Sequence, residues 1–208
     1  INWDESSYAS LERHRDPLDW VVAQWAHVKD AKPGENSLET EIDIKALNLI
    51  RERRPQISIL PMIQNLDDEQ WQPEVLARAV SDEQSRQRLI SSLMQFVTAN
   101  KFAGLCIDFE EPTPQTQPNL LTFMQELHGA FQPRGLLVTQ AVPFDDASWN
   151  YRALAAANHH LMLMAYGEHW AGRVSRPGAS QKGLEPTLAR PTGEPDPPKT
   201  LVPRGTLG

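Results

Sequence analysis

Gly104-Leu105-Cys106-Ile107-Asp108-Phe109-Glu110-Glu111-Pro112 is the stretch from which the fold of this 208-residue chain is best read. It is a short apolar run that ends in charge. Side chains alternate along a strand, so Cys106, Asp108 and Glu110 share one face and Leu105, Ile107 and Phe109 the other. An apolar triplet facing one way and acids facing the other suits a strand with helices on its outside and an enclosed space on its inside. Two carboxyls placed there are unfavourable unless hydrogen-bonded or sharing a proton. Like charge and partial burial raise the proton affinity of one of them, which is how a carboxylic acid stays protonated near neutral pH. Glu111 points away from the pair and reads as a solvated acid.

Outward from this stretch, short apolar runs alternate with helical spacing. Residues 18–28, 57–63, 104–110, 135–143 and 160–166 read as strands, with a further one at 1–3. Residues 37–54, 85–101, 118–131 and 148–157 read as helices, with Ser37 as the cap of the first and Pro55 as its stop. Strands alternating with helices predict a parallel α/β sheet, and near-continuous apolar strands predict cover on both faces. A doubly wound sheet and a (β/α)8 barrel both fit that count. No glycine-rich phosphate loop follows the early strands, and polar groups sit at the carboxyl ends of several: Asp4, Gln64-Asn65, Asp108 with Glu110, and Tyr166. Both observations favour the barrel. A full barrel needs about 250 residues, so the expectation is a (β/α)8 barrel incomplete at its C-terminal end.

The division expected is a barrel over residues 1–170 and a Pro/Gly-rich segment over 171–208, which holds 7 of the 17 prolines and 6 of the 11 glycines. In it residues 180–190 could form one weak helix. Leu201-Val202-Pro203-Arg204-Gly205 matches a thrombin recognition sequence, either an appended remnant or the coincidental start of a strand. With 20 Lys+Arg against 27 Asp+Glu the chain carries −7, which argues against nucleic acid as a partner. One cysteine, Cys106, excludes an intramolecular disulfide and a cysteine-based zinc site. Six histidines show no His-x-x-x-His pair, so neither a metal nor a cofactor is expected. No Gly-x-Ser-x-Gly elbow is present.

At Ala103-Gly104-Leu105-Cys106-Ile107-Asp108-Phe109-Glu110 the chain resembles glycoside hydrolase family 18, whose fourth-strand signature reads Asp-Gly-x-Asp-x-Asp-x-Glu. Met164-Ala165-Tyr166-Gly167 resembles that family's Met-x-Tyr-Asp, and Ser58-Ile59-Leu60-Pro61 stands where it has its third strand. Asn2-Trp3-Asp4 to Trp25, with Met164 to Trp170, resembles more closely a bacterial subgroup fused to a polysaccharide deacetylase and a membrane family 2 glycosyltransferase. The resemblance implies hydrolysis of β-linked N-acetylhexosamine polymers by a substrate-assisted, retaining route, outside the two-carboxylate scheme. Glu110 would be the acid, Asp108 the group that orients the acetamido, and Tyr166 a donor to its oxygen. It also implies partner deacetylase and glycosyltransferase domains in a parent chain and an extracytoplasmic location tethered through them.

Three motif acids are missing: Ala103, Cys106 and Gly167 stand in their places. Trp3 and Trp170 could stack on a sugar, and Gln140 and Asn65 could line its site. For each of these four a packing role is an equally available reading, and Trp25 reads as core. The loss of acids keeps a non-catalytic carbohydrate-binding barrel open as the alternative.

Overall fold

The computed structural model describes residues 8, 18–32, 35, 37–144 and 146–165. Five parallel strands form its centre: β1 (Trp20–Val28), β3 (Ser58–Gln64), β6 (Gly104–Asp108), β7 (Leu137–Pro143) and β8 (His160–Met164). A short β2 (Leu38–Thr40) pairs antiparallel with the end of β1, giving the order β2-β1-β3-β6-β7-β8. A separate hairpin joins β4 (Leu66–Asp67) to β5 (Gln70–Trp71). The helices are α1 (Ile44–Arg53), α2 (Pro73–Ala79), α3 (Glu83–Ala99), α4 (Gln117–Phe131) and α5 (Tyr151–Ala156).

The strand order decides between the two architectures. A doubly wound sheet reverses direction at a switch point. Here each parallel strand is followed in space by the next one in sequence. With crossovers of one hand, that order lays all connecting helices on one face and leaves the other for the interior.

The sheet is also strongly curled. Register puts Trp20 opposite Ser58, Gln64 opposite Asp108, Cys106 opposite Thr139 and Thr139 opposite His160. Alternation then places Trp20, Met62, Gln64, Cys106, Asp108, Thr139, His160 and Met162 on one shared face. On that face Cys106 Sγ lies 3.6 Å from Met162 Sδ, reaching across β7. The rings of Trp20 and His160, on the outermost parallel strands, have centroids 4.8 Å apart. In a flat sheet four strand spacings would separate them by about 19 Å. The described strands are therefore five consecutive staves of a (β/α)8-type barrel, with this face inside.

The opposite face carries the apolar alternates. Val21, Ile59, Ile63, Leu105, Ile107, Val138, Val142 and Leu161 are buried with Ile50 of α1, Leu89 and Leu93 of α3, and Phe123, Leu127 and Phe131 of α4. Burying a side chain of this size stabilises by roughly 1.5–3 kcal/mol. Trp25 is core, as expected, with its ring 5.8 Å from that of Phe102. Arg86 of α3 holds Glu126 of α4 through Nε and Nη2 at 3.0 and 2.9 Å, fixing the two helices side by side. Gly104 opens β6 because nothing larger fits: its φ is +156°, and a Cβ there would stand 2.0 Å from the Leu137 carbonyl oxygen.

Several boundaries differ from the sequence reading. The helix expected from Ser37 begins at Ile44, and its cap is Asp43, whose side chain accepts from the Ala46 N–H at 2.9 Å. Leu38 is instead drawn into β2, because pairing with Val28 buries it. The ladder of β6 stops at Asp108, two residues short of Glu110. The hairpin and α2 carry no sequence signal, since neither is long enough to show a period. The expected strand at 1–3, the helix at 180–190 and all of 171–208 lie outside the described residues.

Candidate active site

Asp108 ends the middle one of the five parallel strands, on the inner face. It is 7% exposed. Its Oδ2 accepts from Gln64 Nε2 at 2.8 Å, while Oδ1 has no hydrogen-bond partner among the described residues. Burial pushes its carboxyl above the ordinary range, and the Gln64 donor pulls the other way. Gln64 itself is buried, in register beside Asp108. The sequence groups Gln64 with Asn65 at the end of this strand, but only Asn65 was expected to line the site. The signal was available, since the phase of Leu60 and Met62 turns Gln64 inward with Asp108 and turns Asn65 out of that row.

Glu110 continues the same alternation past the end of the ladder. Phe109 between them is buried, its ring stacked on Phe123 of α4 at 6.0 Å, which anchors the outward-facing member of the triplet. Glu110 is half-buried. Burial first, then the charges of Asp108 and Glu111, push its carboxyl up to about 7. An acid so placed is half protonated at neutral pH, the condition for donating a proton there. Cys106, one inward step below Asp108, is fully buried and its thiol is pushed up to about 12 by that burial. It is therefore neutral at the position of the missing acid, and Asp108 answers to an amide rather than to a second carboxyl.

Two expected site residues are placed elsewhere. Gln140 pairs with Ile107, on the helix-facing side of β7, and its Oε1 accepts from Asn158 Nδ2 at 3.1 Å. Period-2 alternation from Thr139, which is inward, puts it on that outer side, so it does not join Asp108 and Glu110. Asn65 is fully buried, and its amide is turned to the backbone of Glu110: Oδ1 accepts from the Glu110 N–H at 2.9 Å and Nδ2 donates to the Glu110 carbonyl at 3.0 Å. It braces the site rather than facing a sugar. Trp3, Tyr166 and Trp170 lie outside the described residues. Among the described residues no group of His, Cys, Asp and Glu could hold a metal ion, and no helix is long and apolar enough to cross a membrane.

The geometry has relatives. The sequence model of the family described as glycosyl hydrolases family 18 matches residues 2–184. YdhD of Bacillus subtilis, assigned as a sporulation-specific glycosylase, is 27% identical over 143 residues, which are 65% of this chain and 33% of its own. The chain thus spans about a third of that relative's length. The crystal structure of a chitinase from Chromobacterium violaceum superposes with a TM-score of 0.75 at 23% identity, over 89% of this chain and 60% of the other. That of the Bacillus cereus spore cortex-lytic enzyme SleL does so with a TM-score of 0.67 at 15% identity, over 76% and 36%. The structural likenesses speak for the fold; the match along most of the sequence speaks for descent, and by it the chain belongs to glycosyl hydrolase family 18.

Proposed function

We propose that this domain hydrolyses a β-linked N-acetylhexosamine polysaccharide, with Glu110 as general acid. The observation that carries the reading is the pair Asp108 and Glu110 at the carboxyl end of the central strand, the second poised to titrate near pH 7. Barrel enzymes place their chemistry at that end. Glu110 protonates the glycosidic oxygen as the bond to the anomeric carbon breaks. The substrate's own N-acetyl carbonyl oxygen attacks that carbon and forms a cyclic oxazolinium ion. Asp108, ionised and held by Gln64, steers the acetamido nitrogen and balances the positive charge it acquires. Water then opens the ring, giving its proton to Glu110, so the configuration is retained and the acid is restored.

Tyr166 completes the reading as a donor to the acetamido oxygen, and Trp3 and Trp170 as platforms for sugar rings. The polymer substrate, the deacetylase and glycosyltransferase partners in a longer parent chain, and an extracytoplasmic location all belong to the same proposal. Their support is the family membership together with the residues around Trp3 and Tyr166.

Purified protein incubated with β-linked N-acetylglucosamine oligomers should release shorter products with retained anomeric configuration, seen by proton NMR. Glu110→Gln should abolish release while leaving calorimetric binding intact. Binding without turnover by the unaltered protein would replace the enzyme with the carbohydrate-holding barrel, a reading consistent with Ala103 and Cys106 in place of acids.

A further inference from the structure

The backbone ladder between β3 and β6 ends at the pair Gln64 and Asp108. One residue further the chain leaves β3 for the β4–β5 hairpin, and the carbonyl of Asn65 is tied back by the Gln72 N–H at 2.7 Å. No main chain of β3 is left to pair with Glu110. The Asn65 side chain takes that place. A primary amide carries the same donor and acceptor as a peptide group. Both are engaged at once on the two backbone groups of a single residue, at 2.9 and 3.0 Å, in a fully buried position. Immediately beyond, Glu111 adopts φ +56°, in the left-handed region that a residue of its kind rarely enters. The chain is thus held straight to the last possible residue and then turned sharply.

We propose that Asn65 is the positioning residue of the acid: its amide carries the sheet pairing two residues past Asp108, so that the Cα of Glu110 is fixed and only the side-chain torsions of the carboxyl remain free. The proposal rests on Glu110 being the acid. A buried side chain that does no more than satisfy its own polar atoms would bond to whatever was nearest. Here the amide oxygen and the amide nitrogen both bond to the one residue whose placement decides proton transfer. Misplacement of a reacting group by about 1 Å can lower a rate about 100-fold.

The test uses two variants of the whole chain. Asn65→Ala removes both bonds; kcat on N-acetylglucosamine oligomers should fall by about 10- to 100-fold with KM changed by less than about threefold. Asn65→Asp keeps the acceptor for the Glu110 N–H, loses the donor to its carbonyl and sets a negative charge beside it. The alkaline limb of kcat/KM should then move up by about one pH unit. The same displacement should appear in a carbon-13 NMR titration of the Glu110 carboxyl, which needs no turnover. If the unaltered protein does not cleave, the glycosidase reading fails, while the NMR titration still decides whether Asn65 governs Glu110. Variants that fold with kcat within twofold and an unmoved limb and titration would overturn the proposal. So would an Asn65→Asp protein that fails to fold, because the amide would then be a folding element.

Discussion

Replacing Glu110 by glutamine should remove activity and, above neutral pH, make the protein more stable. Burial and two neighbouring acids hold the Glu110 carboxyl at about 7 against an ordinary 4.5. The native state therefore keeps a proton that the unfolded chain releases at lower pH. A carboxyl raised in this way weakens the fold as pH climbs from about 4.5 to about 7, and the full loss is present above both values. The difference corresponds to at most about 3 kcal/mol. Glu110 is only half-buried and water screens part of it, so about 1–2 kcal/mol is the working magnitude. Glutamine keeps the shape without the charge. Thermal unfolding should show the two proteins matched near pH 4 and Glu110→Gln higher by about 2–8 °C at pH 8, given the chain's size. A constant gap across pH, or a variant less stable at pH 8, would refute the placement of this carboxyl against Asp108.

Three further outcomes follow from other contacts. Gln64→Leu removes the donor that opposes burial at Asp108, so that carboxyl should keep its proton to higher pH and the acidic limb of kcat/KM should move up, with kcat lower by about tenfold; an unmoved limb would show the bond to be idle. Gly104→Ala forces a Cβ into the Leu137 backbone at a left-handed φ, and denaturant titration should find a loss of more than about 3 kcal/mol, a loss under 1 kcal/mol contradicting the close approach of β6 and β7. Phe123→Ala empties the site under Phe109 and should lower stability by about 3–5 kcal/mol in the same assay, a loss below about 1 kcal/mol showing that the ring is not packed there.

Much of the barrel was legible because its signals are local. Leu105, Ile107 and Phe109 against Cys106, Asp108 and Glu110 give the two faces of the central strand by alternation alone, and α3 and α4 show their apolar periods within single windows. Alternation turns Gln64 inward and Asn65 away from it, but registers between strands, which were not legible, decide what each meets: one reaches Asp108 and the other the backbone of Glu110. Gln140 failed for a related reason. Its polarity suggested the cavity, but Asn158, 18 residues away, offers it a buried partner on the helix side that sequence spacing does not reveal. The start of α1 slipped because Ser37 and Asp43 are both good caps. Burial of Leu38 in a three-residue strand, a tertiary contact, chose the second.

The meeting of Trp20 and His160 at the amino ends of their strands has a consequence for traffic. Those rings bring the amino ends of the first and last described parallel strands together on the inner face. On the function proposed above, a polysaccharide would lie across the carboxyl end of the strands, where Asp108 and Glu110 stand, rather than run down the axis. Both products of that proposed cleavage would then leave by the end at which the polymer arrived.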